Sequence, residues 1–260
     1  MVPRYAGQAW TVARFTVLEA VRTRLFIVFL CVLALAWLGG AFVRALAVTE
    51  GSRLQVVFLA GMLRWAAVFV ISLYTISATV REFNDKTLEL LLALDLPRAA
   101  YGFGKFLGFS IVAWGLAAFC GAGLSFSAPG EPLLAWSLSL AMELWMVVAM
   151  SLFCVATFSQ VMPAAAVVVG FVLLGRSIGA IQLMTASPVL DAASPIHRAM
   201  SWTIDAIALL LPRLDTFTQS AWLVNESAAW PALPPLLAQS LITVALLLAA
   251  ALFDLYRRDL

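Results

Sequence analysis

Apolar residues run through this chain in six long stretches, and polar residues gather at the joints between them. The stretches are residues 25–47, 54–80, 103–127, 132–158, 163–184 and 232–252. A helix needs about 20 apolar residues to cross a bilayer, so each stretch predicts one membrane-spanning helix. Lipid offers the backbone no hydrogen-bond partner, which makes helices the expected form. The alternating pattern of an outer-membrane barrel strand is absent. The stretches longer than the minimum predict tilted helices or interfacial ends. The expected fold class is therefore an all-α integral membrane protein, a single transmembrane domain over residues 1–260.

Three segments fall outside the spans. In 5–23, Trp10, Ala13, Val17, Ala20 and Val21 share one helical face, with Glu19, Arg22 and Thr23 roughly opposite. This predicts an interfacial helix on the inner leaflet; an irregular basic leader is the other reading. Residues 82–96 lie between the second and third spans. Asn84 or Asp85 can cap a helix there and Pro97 stops it, with Leu88, Leu91 and Leu92 forming an apolar stripe. Its acids Glu82, Asp85, Glu89 and Asp95 disfavour a helix lying on anionic lipid, and favour one that docks in a partner's groove. The third segment is 185–231, rich in Pro and Asp. Within it 199–211 is apolar apart from Asp205, but 13 residues reach only about 20 Å. A re-entrant or interfacial helix fits better than a seventh span.

Composition agrees with burial in lipid. Of 260 residues, 63% are hydrophobic and 12% charged, against about 25% charged in soluble domains. That excludes a soluble globule, a disordered chain and a coiled coil. A net charge of +2 offers no footprint for nucleic acid. The placement of charge says more. Arg4, Arg14, Arg22, Arg24, Arg81, Lys86, Arg98, Lys105, Arg257 and Arg258 make ten of the 16 basic residues, and an even number of spans puts all ten on one side. The positive-inside rule makes that side cytoplasmic, with both termini inside. Trp136, Trp222 and Trp230 fall near the opposite ends, as an aromatic belt requires. Cys31, Cys120 and Cys154 sit singly in apolar runs and read as packing residues, and the single His197 cannot build a multi-histidine site. A signal peptide does not fit the first run, which starts after 24 residues and is too long for an h-region.

Three charges lie deep within spans, away from their ends: Arg64, Glu143 and Arg176. Counted inward from the predicted outer ends, they sit about 15, 16 and 12 Å deep. An ion pair or triad is geometrically accessible to them. It would serve either as a structural clamp or as part of a substrate path. Gly104/Gly108 and Gly175/Gly179 are spaced for close helix approach, including at a subunit contact. The string Gly102-Phe103-Gly104-Lys105 is not a phosphate-binding loop, because Ala99 stands where its first glycine belongs. Lys105 there reads as a lysine snorkelling from the start of a span.

With these residues in view, the chain resembles the membrane subunits of type-2 ABC transporters, the export-type permeases. The stretch Ala13-Arg14, Glu19, Arg22-Thr23-Arg24 is similar to their basic opening helix. Glu82, Thr87-Leu88-Glu89, Leu91-Leu92-Ala93, Pro97-Arg98 and Gly104-Lys105 are similar to the stretch that follows their second span. Here Leu94-Asp95-Leu96 precedes Pro97, where the family has one or two residues. The tail Phe253-Asp254-Leu255-Tyr256-Arg257-Arg258 is similar as well. The resemblance implies an inner-membrane permease that pairs with a second copy of itself or a homologous permease. It implies that a dimer of separate ATPase subunits docks on 82–96 and binds ATP and Mg, with no cofactor held by this chain. Glu82, Asp85, Leu88, Glu89, Leu92 and Asp95 would then carry coupling rather than catalysis. Other classes fit less well. An intramembrane enzyme lacks any zinc-protease or serine-elbow motif, a scaffold or sensor would need no ATPase, and a secondary transporter would show inverted repeats.

Overall fold

The computed structural model describes residues 2–23, 25–47, 50–85, 97–128, 130–186, 195–225 and 230–257. The described residues are helical, and six of the helices are long and apolar enough to cross a membrane. A leading helix, α1 (Val2–Arg22), precedes them. The six are α2 (Leu25–Leu46), α3 (Gly51–Asn84), α4 (Arg98–Leu124), α5 (Glu131–Phe158), α6 (Val161–Ala186) and α9 (Leu233–Arg257). Between α6 and α9 lie α7 (Pro195–Leu210), a 3₁₀ turn at Leu214–Thr216, the short α8 (Ala221–Asn225) and a second 3₁₀ turn at Trp230–Ala232.

Each of the six expected spans coincides with one of these helices, with ends shifted by a few residues. α3 is the longest, because its helix runs on through Arg81-Glu82-Phe83-Asn84, and the Asp85 amide still bonds back to the Arg81 carbonyl. Glu82 therefore belongs to the last turn of a spanning helix rather than to a separate loop helix. Leu88, Glu89, Leu92 and Asp95 lie outside the described residues.

α5 is the centre of the bundle. Of its apolar window 83% is buried inside the protein, against 17% for α2. α3, α4, α6, α8 and α9 all pack on α5, while α2 packs mainly on α3, with Phe29 set edge-on against Phe119 of α4. The composition of α5 explains its place. Small residues (Ala135, Ser139, Ala149, Ser151, Ala156) alternate with Trp136, Leu140, Leu144 and Met146, so neighbours can close on every side. α9 buries one stripe only, Leu233, Leu236, Ser240, Val244, Ala251 and Leu255, at helical spacing.

The helices alternate in direction, which brings the end of α3, the start of α4 and the ends of α5 and α9 together. Arg98 on α4 donates to the carbonyls of Leu255 (3.1 Å) and Tyr256 (3.2 Å) on α9. Thr157 on α5 donates to Asp254 of α9 at 2.6 Å.

Two expectations change here. α1 is a helix, but it buries Ala9, Ala13, Thr16 and Ala20, while Trp10, Phe15, Leu18 and Val21 stay exposed. The small residues win that face because α4 presents Gly104 and Gly108 to it. A Cβ at Gly108 would stand 2.6 Å from Thr16 Cβ and 2.9 Å from the Ala13 carbonyl oxygen. Trp136 is fully buried and Trp222 nearly so, so these two are core residues, and of the three expected belt tryptophans only Trp230 is exposed. Of the cysteines, Cys120 and Cys154 are buried, Cys31 is exposed, and all three are free.

Candidate functional site

The three intramembrane charges converge on a single residue that the sequence did not single out. Chain leaving α7 turns at Pro212, forms the 3₁₀ turn and inserts Leu214, Phe217 and Thr218 fully into the bundle. Thr218 meets α5 at Glu143, 12 residues from the start of that helix, or about 18 Å along its axis. Non-helical backbone at such depth survives only where protein satisfies its polar groups. Here the bundle does so. The Thr218 amide donates to Ser139 Oγ at 3.0 Å. Its carbonyl accepts from Arg64 Nη1 at 3.1 Å.

The Thr218 side chain completes the network. Its hydroxyl donates to Glu143 Oε2 at 2.7 Å and accepts from Arg176 Nη2 at 3.0 Å. Arg176 Nη2 also donates to Glu143 Oε1 at 2.5 Å. Glu143 is 0% exposed and the Arg176 side chain 13%. Both carboxylate oxygens thus have charged or hydroxyl donors, which a buried carboxylate requires. Thr218 holds φ at 48°, a left-handed conformation that a β-branched residue adopts only when its surroundings impose it. Its four polar contacts impose it.

Charge does not balance in this cluster. Arg64 and Arg176 both lie near the indole of Trp65, with their guanidinium carbons 5.9 and 5.6 Å from its ring centroid. Glu143 is paired with Arg176 alone. Arg64 rests on a neutral carbonyl and an aromatic face. The Nε atoms of both arginines are buried without a partner.

A second polar cluster ties the roots of the 86–96 segment. Glu82, at the end of α3, accepts from Tyr101 Oη at 2.7 Å and forms an ion pair with Lys105, both on the first turns of α4. Lys105 is 5% exposed and also lies 5.5 Å from the Phe109 ring centroid. It therefore points inward to a carboxylate rather than snorkelling outward, because an acid within reach is worth more to the ammonium than the interface. The Glu82 carboxylate is engaged by its own chain. Asp85 is exposed.

The glycine pairs also acquire definite partners. Gly104 and Gly108 seat α1, while Gly175 and Gly179 seat the turn after Pro212. A Cβ at Gly175 would lie 3.0 Å from Leu214 and from the Pro212 carbonyl, and one at Gly179 would lie 2.1 Å from Asp215 Oδ2.

Of the expected site residues, then, Arg64, Glu143 and Arg176 come together and Glu82 is locked at a loop root. Thr218, Ser139, Trp65, Tyr101 and Lys105 join them without having been expected to. Ser139 and Thr218 carried no signal in the sequence, since a lone hydroxyl in a span or loop looks like any other. Lys105 could have been paired with Glu82 from their positions at facing ends of consecutive spans.

No protein-family model and no curated protein matches the chain.

Proposed function

We propose that this chain is the membrane-spanning permease subunit of an ABC transporter in a bacterial-type inner membrane, both termini cytoplasmic, exporting a substrate. A separate ATPase docks on 82–96, and a second copy of this chain or a homologous permease completes the membrane part. The observation that carries the reading is the Glu82–Lys105–Tyr101 knot. It fastens the end of α3 to the start of α4 where the docking segment begins and ends. A displacement of that segment would be delivered to both helices at once, and both pack on the central α5. Glu82 acts in this scheme as a positioning residue. The contact with the ATPase falls to Leu88 and Leu92, with Asp85, Glu89 and Asp95 facing basic residues of the partner. The intramembrane cluster on α3, α5 and α6 lies along the same mechanical path.

The test is Leu88→Asp, made in the chain expressed in its own membranes and purified in mild detergent. The wild type is expected to co-elute with an ATP-hydrolysing partner, and the variant to reach the membrane in equal yield without it. The same ATPase on both proteins, or protease access to 86–96 from the extracytoplasmic face, overturns the reading.

A further inference from the structure

We infer that Arg64 is the centre of an oxyanion-binding site, built to take a phosphate-type group of a free anion or an amphiphile. The inference does not depend on ATP coupling. It starts from the charge count in the Thr218 cluster. Two guanidiniums face one carboxylate, and that carboxylate is fully engaged by Arg176 and Thr218. Arginine does not shed its proton in proteins. One positive charge is therefore left at membrane depth, and among the described residues Arg64 has no ion pair. A charge so placed calls for a partner. The Thr218 carbonyl supplies a dipole but no neutralising charge, and it occupies a single N–H of the five that a guanidinium carries.

Room for the partner lies beside it. A helical side chain leans toward the N-terminus of its helix, so Arg64 lies over the turn containing Gly61. A Cβ added at Gly61 would meet nothing within 4 Å. Arg64 is itself only half-buried, and the surface one turn before it is open at Gly61. The flat fork of a guanidinium matches two oxygens of a phosphate, sulfonate or carboxylate. Trp65 forms one wall, and the stacked Trp65–Phe69 pair, with Phe69 42% exposed, leads away from the charge along an apolar surface. Arg176, 5.6 Å from the same ring, is already paired with Glu143, which leaves the Arg64 charge to the ligand.

The experiment measures thermal unfolding of the purified chain in neutral detergent, with dodecyl phosphate and, separately, with inorganic phosphate. The wild type is expected to gain about 3 °C or more in Tm with at least one of them. A gain with inorganic phosphate assigns a free anion; a gain with dodecyl phosphate alone assigns an amphiphile head group. Arg64→Gln keeps a donor for the Thr218 carbonyl but loses the charge, and its response should vanish. Arg64→Lys, which keeps the charge but loses the fork, should weaken it without abolishing it. Gly61→Leu, which covers the open surface one turn before Arg64 and leaves every charge in place, should abolish it. A wild type that responds to neither probe overturns the inference without any variant. So does an Arg64→Gln or Gly61→Leu protein that responds as the wild type does.

Discussion

The two ends of the bundle are finished with the same parts, arranged differently. At each end a pair of glycines four residues apart seats an extra segment, and a buried ion pair lies close by. At the Glu82 end, Gly104 and Gly108 receive α1, a regular helix whose backbone satisfies itself. The ion pair there joins two helices and nothing else. At the other end, Gly175 and Gly179 receive the turn after Pro212, whose backbone is not helical. The polar cluster there must satisfy an amide and a carbonyl as well as its own charges. An ordered helix can be docked by shape alone. An irregular segment pushed to the same depth must be held by hydrogen bonds, which is why the charged residues of the spans collect around Thr218.

The largest effect tests whether the Thr218 end depends on its charges. Glu143→Ala leaves Arg176 buried without its partner and should cost about 3–5 kcal/mol, read as a lower Tm in detergent or loss of the monodisperse peak. Glu143→Gln combined with Arg176→Gln removes both charges and should be milder than Glu143→Ala. If the double variant is worse, the pair is held by more than charge balance.

A smaller loss is expected at the Glu82 end. Lys105→Met strands a Glu82 side chain that is still 18% exposed and keeps its Tyr101 hydrogen bond. Thermal unfolding should show a loss of about 1–3 kcal/mol, and proteolysis within 86–96 should quicken as the loop roots part. An unchanged cleavage rate would mean that helix packing alone holds the roots together.

The glycine seats sharpen the contrast further. Gly108→Ala drives a Cβ into the Ala13 carbonyl and Thr16 Cβ, neither of which can swing aside. Overpacking of that kind costs about 1–3 kcal/mol, and trypsin should reach Arg14 sooner. Gly179→Ala meets chiefly the carboxylate of Asp215, the end of a side chain able to rotate. Its Tm should move least of all, by less than about 0.5 kcal/mol equivalent.

How much of this was legible beforehand varies by element. The six spans were readable almost to their ends, because each is a long apolar run and lipid leaves the backbone one option. The face that α1 buries was readable in part. Ala13 and Ala20 of the expected face are buried and Val17 packs on the core, but Trp10 and Val21 stay exposed, and close approach to Gly104 and Gly108 brings in Ala9 and Thr16 instead. Trp136 and Trp222 were misplaced for a related reason: position along the chain indicates how deep a side chain lies, but not whether it faces lipid or a neighbour.

The sequence by itself determined that the chain forms six helices long and apolar enough to cross a membrane, and that Arg64, Glu143 and Arg176 sit at similar distances from their helix ends. Both follow from local composition and from the rise of a helix. Only the tertiary structure decided that Glu143 pairs with Arg176 rather than Arg64, that Lys105 turns inward to Glu82, and that Thr218 is the residue all three spans grip. Those choices depend on how helices are rotated against one another and on where an irregular segment comes to rest. Such quantities are set by packing between residues 154 positions apart, as Arg64 and Thr218 are, and leave no periodic trace in the chain.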